Sequence, residues 1–265
     1  MDYKVTYTSI YEYETDVILN DDTLKIVPYD GDNQILLDHE VGSVPEGYKT
    51  FYRDIFGNIV YKVKVEESHR RLEVYSRSKV RVDQKVVRNH EFPYDFGFNP
   101  FLLPTKLVDP EPFREVSREL VKELRTMGEV IERVVKFVKG KIKYKNGVTN
   151  IYTTALEAYN LGYGVCQDYT HVTLAIFRSL GIPARYAMGV VNDKPRATHA
   201  WVEVLTPDGT YLDVDPTRGK LYNLGYIKFA IGRDFTDVSP VTGSFISAGK
   251  GWLKEVKIKV ERNVT

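Results

Sequence analysis

Residues 162–186 read GYGVCQDYTHVTLAIFRSLGIPARY and contain Cys166, the single cysteine of the 265-residue chain. From 166 to 180 the apolar spacing is helical. Thr173, Leu174, Phe177 and Leu180 share one face, and Val172 and Ile176 widen it. Gly181 and Pro183 close the helix. Cys166 therefore falls at or next to the first helical turn, where unpaired backbone N–H groups converge and the dipole is positive. Both effects favour the thiolate, the nucleophilic form of cysteine. Gly162 and Gly164 allow the chain to approach closely and turn sharply into that helix. The competing reading is a lone buried cysteine used as a small hydrophobe.

A nucleophilic thiol needs a base. His171 lies five residues along the helix, about 140° around from Cys166 at ~100° per residue, so it suits a packed, hydrogen-bonding role. His199 is better placed. In THAWVEVL the even residues Ala200, Val202 and Val204 point one way, and His199, Trp201 and Glu203 the other. The even face is expected to be buried and the histidine face displayed. TPDG at 206–209 is a hairpin turn, and the return strand TYLDVDPT repeats the pattern, with Tyr211, Asp213 and Asp215 on the histidine's face. One hairpin thus presents a histidine and two aspartates, the groups that deprotonate a thiol and fix an imidazole's tautomer.

Upstream, PFREVSRELVKELRTMGEVIERVVKFVKGKIKY has helical spacing with a break at Gly128, and Val130, Ile131, Val134, Val135 and Val138 form an apolar face. TTALEAYNLG adds a short helix ending near Gly162. Before residue 113 no helical period occurs. YKVTYTSIYEYE and RRLEVYSRSKVRVDQKVV alternate as strands, and FYRDIFGNIVYKVKVEE reads as two strands joined at Phe56-Gly57-Asn58. Between these regions, NHEFPYDFGFNPFLLPTKLVDPEP is too rich in proline for a regular ladder, and its phenylalanines suit a connector packed on both sides. The expected division is a β-rich domain over 1–88, a connector over 89–112 and a second domain over 113–265.

Composition narrows the function. With 37 basic and 36 acidic residues the formal net charge is +1, which gives no reason to expect nucleic acid or an anionic membrane as partner. No apolar run is long enough to span a bilayer, and the first residues lack the apolar core of a signal peptide, so the expected compartment is cytoplasmic. One cysteine excludes an internal disulfide and C-x-x-C zinc sites. The pairs Asp21/Asp22 and Asp30/Asp32 read as solvated turns rather than a calcium site, and no cofactor or metal is expected. The motifs of serine hydrolases, P-loops, dinucleotide sites and HExxH metalloproteases are absent.

GVCQDYTHV, LGIPARY, THAWVEV and DVDPT, in this order, resemble the transglutaminase-like superfamily in its bacterial and archaeal branch. The upstream YKNGVTNIYTTALEAYNLGYG and, more loosely, YRDIFGN extend the likeness. The resemblance implies an α+β, papain-like transglutaminase core preceded by an all-β region. It places the nucleophile on Cys166, the base on His199 and the aspartate on Asp215, and implies acyl transfer on a peptide or protein amide through a thioester. Water is the expected acceptor, rather than a cross-linking amine. Trp201 and Tyr169 are candidates for substrate contact: Trp201 as a shield of the dyad from water, Tyr169 (with Tyr152) as a second oxyanion donor. The same motifs also fit an inactive binding module that recognises partners through its β domain.

Strand register bears independently on which carboxylate holds His199. Glu203 is about 13 Å along the same strand at ~3.3 Å per residue, out of reach. The faces and the turn at Pro207-Asp208-Gly209 leave two registers. One puts Asp215 directly opposite His199, the other diagonally, and Asp213 is farther in both. Asp215 is therefore expected on the imidazole nitrogen facing away from Cys166, with Asp213 dispensable for the chemistry.

Overall fold

Tyr, Val, Thr and Ile alternate with polar residues from Asp2 onward. In the computed structural model, which describes residues 1–262, this run forms one 23-residue strand, β1 (Asp2–Leu24). It is followed by β2 (Gln34–Val44), β3 (Tyr48–Arg53), β4 (Ile59–Val65) and β5 (His69–Val82). β3 and β4 form a hairpin closing at Arg53 and Ile59, with Gly57 at φ 82° in its turn. β1 outruns any single partner. Its first half pairs with β5 and its second with β4, giving the order β2-β5-β1-β4-β3.

The connector packs against both sides. Buried Phe101 meets Phe56 of the β-rich region at 5.9 Å and Tyr211 of the following region at 6.2 Å between ring centroids. Next come α1 (Arg114–Val121), α2 (Met127–Lys141), β6 (Lys143–Tyr144), α3 (Ala155–Leu161), β7 (Tyr163–Gly164) and α4 (Cys166–Ser179). Thr126 with Glu129 and Thr154 with Glu157 form capping boxes that fix the starts of α2 and α3. Val130, Ile131, Val134, Val135 and Val138 are buried, as their spacing predicts. Strands β8 (Ala184–Val190), β9 (His199–Leu205), β10 (Tyr211–Asp215), β11 (Lys220–Leu221) and β12 (Ile227–Gly232) form an antiparallel sheet in the order β11-β10-β9-β8-β12. α4 packs on β8 and β9 from one side and against α1, α2 and α3 from the other, so the architecture is α+β. No helix among the described residues is long and apolar enough to cross a membrane.

Four details differ from the sequence expectations. After α5 (Phe235–Val238), the strands β13 (Val241–Ser247) and β14 (Gly251–Arg262) leave the second region and pair with β1. The span 113–265 is thus not one spatial unit. β1 has a second edge of backbone donors and acceptors to satisfy, and Val256, Ile258 and Val260 of β14 bring a period-2 apolar stripe to it. α4 has no solvent face: residues 168 to 178 are all buried. β9 is buried on both faces, because Tyr29 and Phe56 of the β-rich region cover Trp201 and its neighbours. Finally, Asp21 and Asp22 lie within β1, with Asp22 buried, and Asp32 is ion-paired with Arg185 and, at 2.9 Å, Lys228. The first pair is thus in a strand, whereas Asp30 and Asp32 do flank an exposed turn and form ion pairs there.

Candidate active site

Cys166 is the first residue of α4 and is half-buried. Val165 at the N-cap has no side-chain acceptor, so the third helical residue supplies one. Asp168 Oδ2 accepts the Val165 N–H at 2.7 Å and the Thr149 hydroxyl at 2.7 Å. The other oxygen, Oδ1, is buried without a partner, and burial raises the carboxyl pKa. A Cβ on Gly164 would lie 2.5 Å from the Asp168 Cβ, which explains the glycine two residues before the thiol. As the first residue of α4, Cys166 has a backbone N–H without an intrahelical partner.

His199 opens β9, and its Nε2 donates to Asp215 Oδ2 at 2.9 Å. The Cys166 side chain lies close enough to the same imidazole to raise its pKa, and with Nε2 on Asp215 the nitrogen left for the sulfur is Nδ1. Burial disfavours the imidazolium, but the bond to Asp215 and then the Cys166 sulfur outweigh it and push the His199 pKa up to about 9. The raised value lies above the ~6.5 of an unfolded chain, so this pairing stabilises the fold fully below pH ~6.5. That stability is lost as pH rises through about 9.

Asp215 is fully buried and saturated with donors. Oδ2 also accepts the Tyr226 hydroxyl at 2.9 Å, and Oδ1 accepts the Arg218 backbone N–H at 3.0 Å. Burial opposes its ionisation, yet His199 and the other donors hold it below the ordinary carboxylate range. The pairs Leu212–Val204 and Val214–Val202 identify the diagonal register of the two expected, so Asp215 reaches the ring from the diagonal position. His171 is fully buried. Its Nε2 accepts the Phe235 N–H at 3.2 Å, and burial pushes its pKa down to about 4, which suits a structural histidine.

The two expected substrate contacts are placed otherwise. Trp201 is 1 % exposed, its indole N–H donates to Asp213 Oδ1 at 3.2 Å, and its ring lies 6.4 Å from that of His199 at 21°. It forms a floor beneath the imidazole instead of a surface for substrate, because the β-rich region covers that face of the sheet. Tyr169 is 4 % exposed and commits its hydroxyl to Ile142 O at 2.6 Å. Tyr152, by contrast, is 74 % exposed on the loop before α3. Two residues carried no sequence signal. Tyr226 reaches Asp215 from beyond β11, outside any hairpin pattern. Tyr144 stands opposite Gly164 in the short β6–β7 ladder and lies close enough that, after burial, charge on Cys166 raises its pKa.

Asp213 belongs to a different assembly. Lys85, Arg185 and Lys228 meet buried Glu203 and Asp213, with the more exposed Asp32 at the margin, at the junction of the β-rich region and the sheet. Lys85 Nζ is 2.8 Å from Glu203 and 3.1 Å from Asp213, Arg185 Nε is 2.7 Å from Glu203, and Lys228 Nζ is 2.8 Å from Glu203. Breaking one member leaves a buried charge under-compensated. Asp213→Asn is therefore expected to lower the thermal midpoint, at a cost of about 1–3 kcal/mol, with little effect on acylation. Single-turnover rates alongside thermal melts check this. A tenfold or larger fall in rate at an unchanged midpoint would mean instead that the Asp213–Trp201 bond governs His199.

Comparison with known proteins agrees with this geometry. Residues 114–216 match the transglutaminase-like superfamily, and residues 3–81 match the bacterial transglutaminase-like N-terminal region. An uncharacterised protein of Mycobacterium leprae is 26 % identical over 277 residues, covering 98 % of each chain. One from Mycobacterium tuberculosis strain H37Rv is 27 % identical over 290 residues, covering 97 % of this chain and 92 % of its own. A crystal structure of a candidate cysteine protease from Cytophaga hutchinsonii superposes with a TM-score of 0.82 at 20 % identity, covering all of this chain and 92 % of the other, so the whole fold is shared. This chain is thus a transglutaminase-like superfamily core joined to a bacterial transglutaminase-like N-terminal region.

Proposed function

We propose that the protein is a thiol-dependent amidase or peptidase that acts through an acyl-enzyme. The observation that carries this reading is the convergence of Cys166, at the start of α4, with an imidazole bonded to buried Asp215. The imidazolium beside the sulfur favours the thiolate, which attacks the amide carbonyl carbon. The Cys166 N–H is aimed at the resulting oxyanion. His199 gives its proton to the departing nitrogen, the C–N bond breaks, and a thioester remains. His199 then takes a proton from water, whose oxygen attacks the thioester and releases a carboxylic acid and the thiol. Asp215 holds the ring in the tautomer that points Nδ1 at the sulfur.

The likeness to a candidate cysteine protease supports a peptide or protein amide as substrate. A reducing compartment such as the cytoplasm suits an enzyme whose one cysteine must stay a free thiol. Hydrolysis is expected to prevail over cross-linking. A screen of peptides and side-chain amides, with and without a labelled primary amine, separates the two. Release of amine or ammonia should outrun incorporation of the label, and incorporation into protein glutamine outrunning release would reverse the assignment. No turnover, together with a thiol that alkylates only on unfolding, would leave the binding-module reading instead.

A further inference from the structure

The start of β9 at His199 and the end of β10 at Asp215 lie at one end of the sheet, and the loops there carry several cations. The loop 191–198, between β8 and β9, contains Lys194 and Arg196. The loop 216–226, between β10 and β12, contains Arg218 and Lys220. Arg218 is tied to the site directly: its N–H bonds Asp215, and its guanidinium lies 5.8 Å from the centre of the Tyr226 ring. On the strand beside the thiol, β6 pairs Lys143 with Tyr163, and the Lys145 N–H bonds Gly164 O at 2.9 Å, two residues before Cys166, while the Lys145 ammonium lies 5.4 Å from the centre of the Tyr163 ring. Lys139, near the end of α2, donates to Arg218 O at 2.7 Å.

All of these side chains are exposed. Segments 139–153, 191–198 and 216–226 together contain one carboxylate, Asp193. Among the described residues, none of Lys139, Lys143, Lys145, Lys194, Arg196, Arg218 and Lys220 has an ion-pair partner. On the β-rich region, exposed cations such as Arg70, Arg77 and Arg81 each face a carboxylate. The whole chain is nearly neutral, whereas these three segments, which flank Cys166, His199 and Asp215 in sequence, carry a clear excess of positive charge. Clustered charge of one sign raises the local concentration of the opposite sign and selects among partners.

We propose that the substrate is acidic: a peptide segment with aspartate or glutamate on both sides of the amide that Cys166 attacks. The proposal rests on the acyl-enzyme reading for its chemistry, but its charge claim can be tested without turnover. An extended acidic segment would lay its reacting carbonyl over Cys166, with carboxylates on one side meeting Lys143 and Lys145 and on the other meeting Arg196, Arg218 and Lys220. Such contacts are exposed, so they act mainly through long-range attraction and are screened beyond a Debye length of about 8 Å at physiological salt.

The test uses the full chain and three peptides with the same central glutamine, flanked by glutamate, alanine or lysine. Binding is measured on Cys166→Ala and kcat/KM on the wild type, both at low and high salt. The glutamate peptide is expected to bind the variant, and to be turned over by the wild type, at least about tenfold better than the lysine peptide. That margin should shrink towards none at high salt. Lys143→Glu with Lys145→Glu should reverse the order. If the acidic peptide binds but nothing is turned over, the charge assignment stands and the acyl-enzyme reading fails. If turnover occurs without charge preference, or favours lysine, the charge assignment is wrong and the acyl-enzyme reading stands. Binding of a single-stranded oligonucleotide in place of the acidic peptide would also overturn the proposal.

Discussion

Cys166→Ala is expected to abolish thioester formation and leave the fold in place. The cysteine is half-buried at the first residue of α4, so removing its sulfur opens little cavity. The elements that shape this helix start do not depend on the thiol. They are the Asp168 carboxylate on the Val165 N–H, the Thr149 hydroxyl on Asp168, and the glycine at 164. The thermal midpoint should stay within a few degrees of wild type, since about 1 kcal/mol moves it by roughly 2–4 °C in a chain of this size. Acid-quenched reactions examined by intact mass should show a hydroxylamine-sensitive adduct in wild type and none in the variant. A variant that melts far lower, with a wild type that never acylates, would make Cys166 a packing residue.

Asp215→Asn is expected to slow acylation by about 10²- to 10⁴-fold, in line with the loss of a tautomer-fixing carboxylate elsewhere. The reason lies in the donor count. Two donors, His199 Nε2 and the Tyr226 hydroxyl, converge on Oδ2, and the Arg218 N–H points at Oδ1. An amide has one acceptor oxygen. Whichever way it is turned, its NH2 meets a donor. Facing His199, it forces the imidazole to carry its proton on Nδ1, which then cannot accept one from the thiol. Facing Arg218, it leaves a buried donor unpaired, at about 1–3 kcal/mol. Removing the negative charge also removes a leading support of the imidazolium, so the His199 pKa should fall from its raised value. Single-turnover rates compared with Asp213→Asn check the assignment. Equal effects of the two substitutions would contradict it.

The helix starting at Cys166, the hairpin of β9 and β10 and the carboxylate on His199 were legible in the sequence, because local periodicity and a single turn determine them. The burial of Trp201 and Tyr169 was not. Period-2 alternation shows that the two faces of β9 differ, but not that the β-rich region covers the second face. Long-range closure hid the rest. β13 and β14 return to β1 across more than 200 residues, Tyr226 meets Asp215 from beyond β11, and Lys85 meets Glu203 and Asp213 from the connector side. Such meetings depend on how the regions pack, and no short window of sequence encodes them.

In the proposed reaction the His199–Asp215 pair activates Cys166 as the nucleophile. The direct measurement is the rate of Cys166 alkylation by iodoacetamide in the folded protein as a function of pH. The folded wild type is expected to be alkylated with a step in rate near pH 9 as His199 loses its proton, and that step should be displaced in Asp215→Asn. A rate profile identical in wild type and Asp215→Asn, or a thiol that reacts only after unfolding, would contradict this.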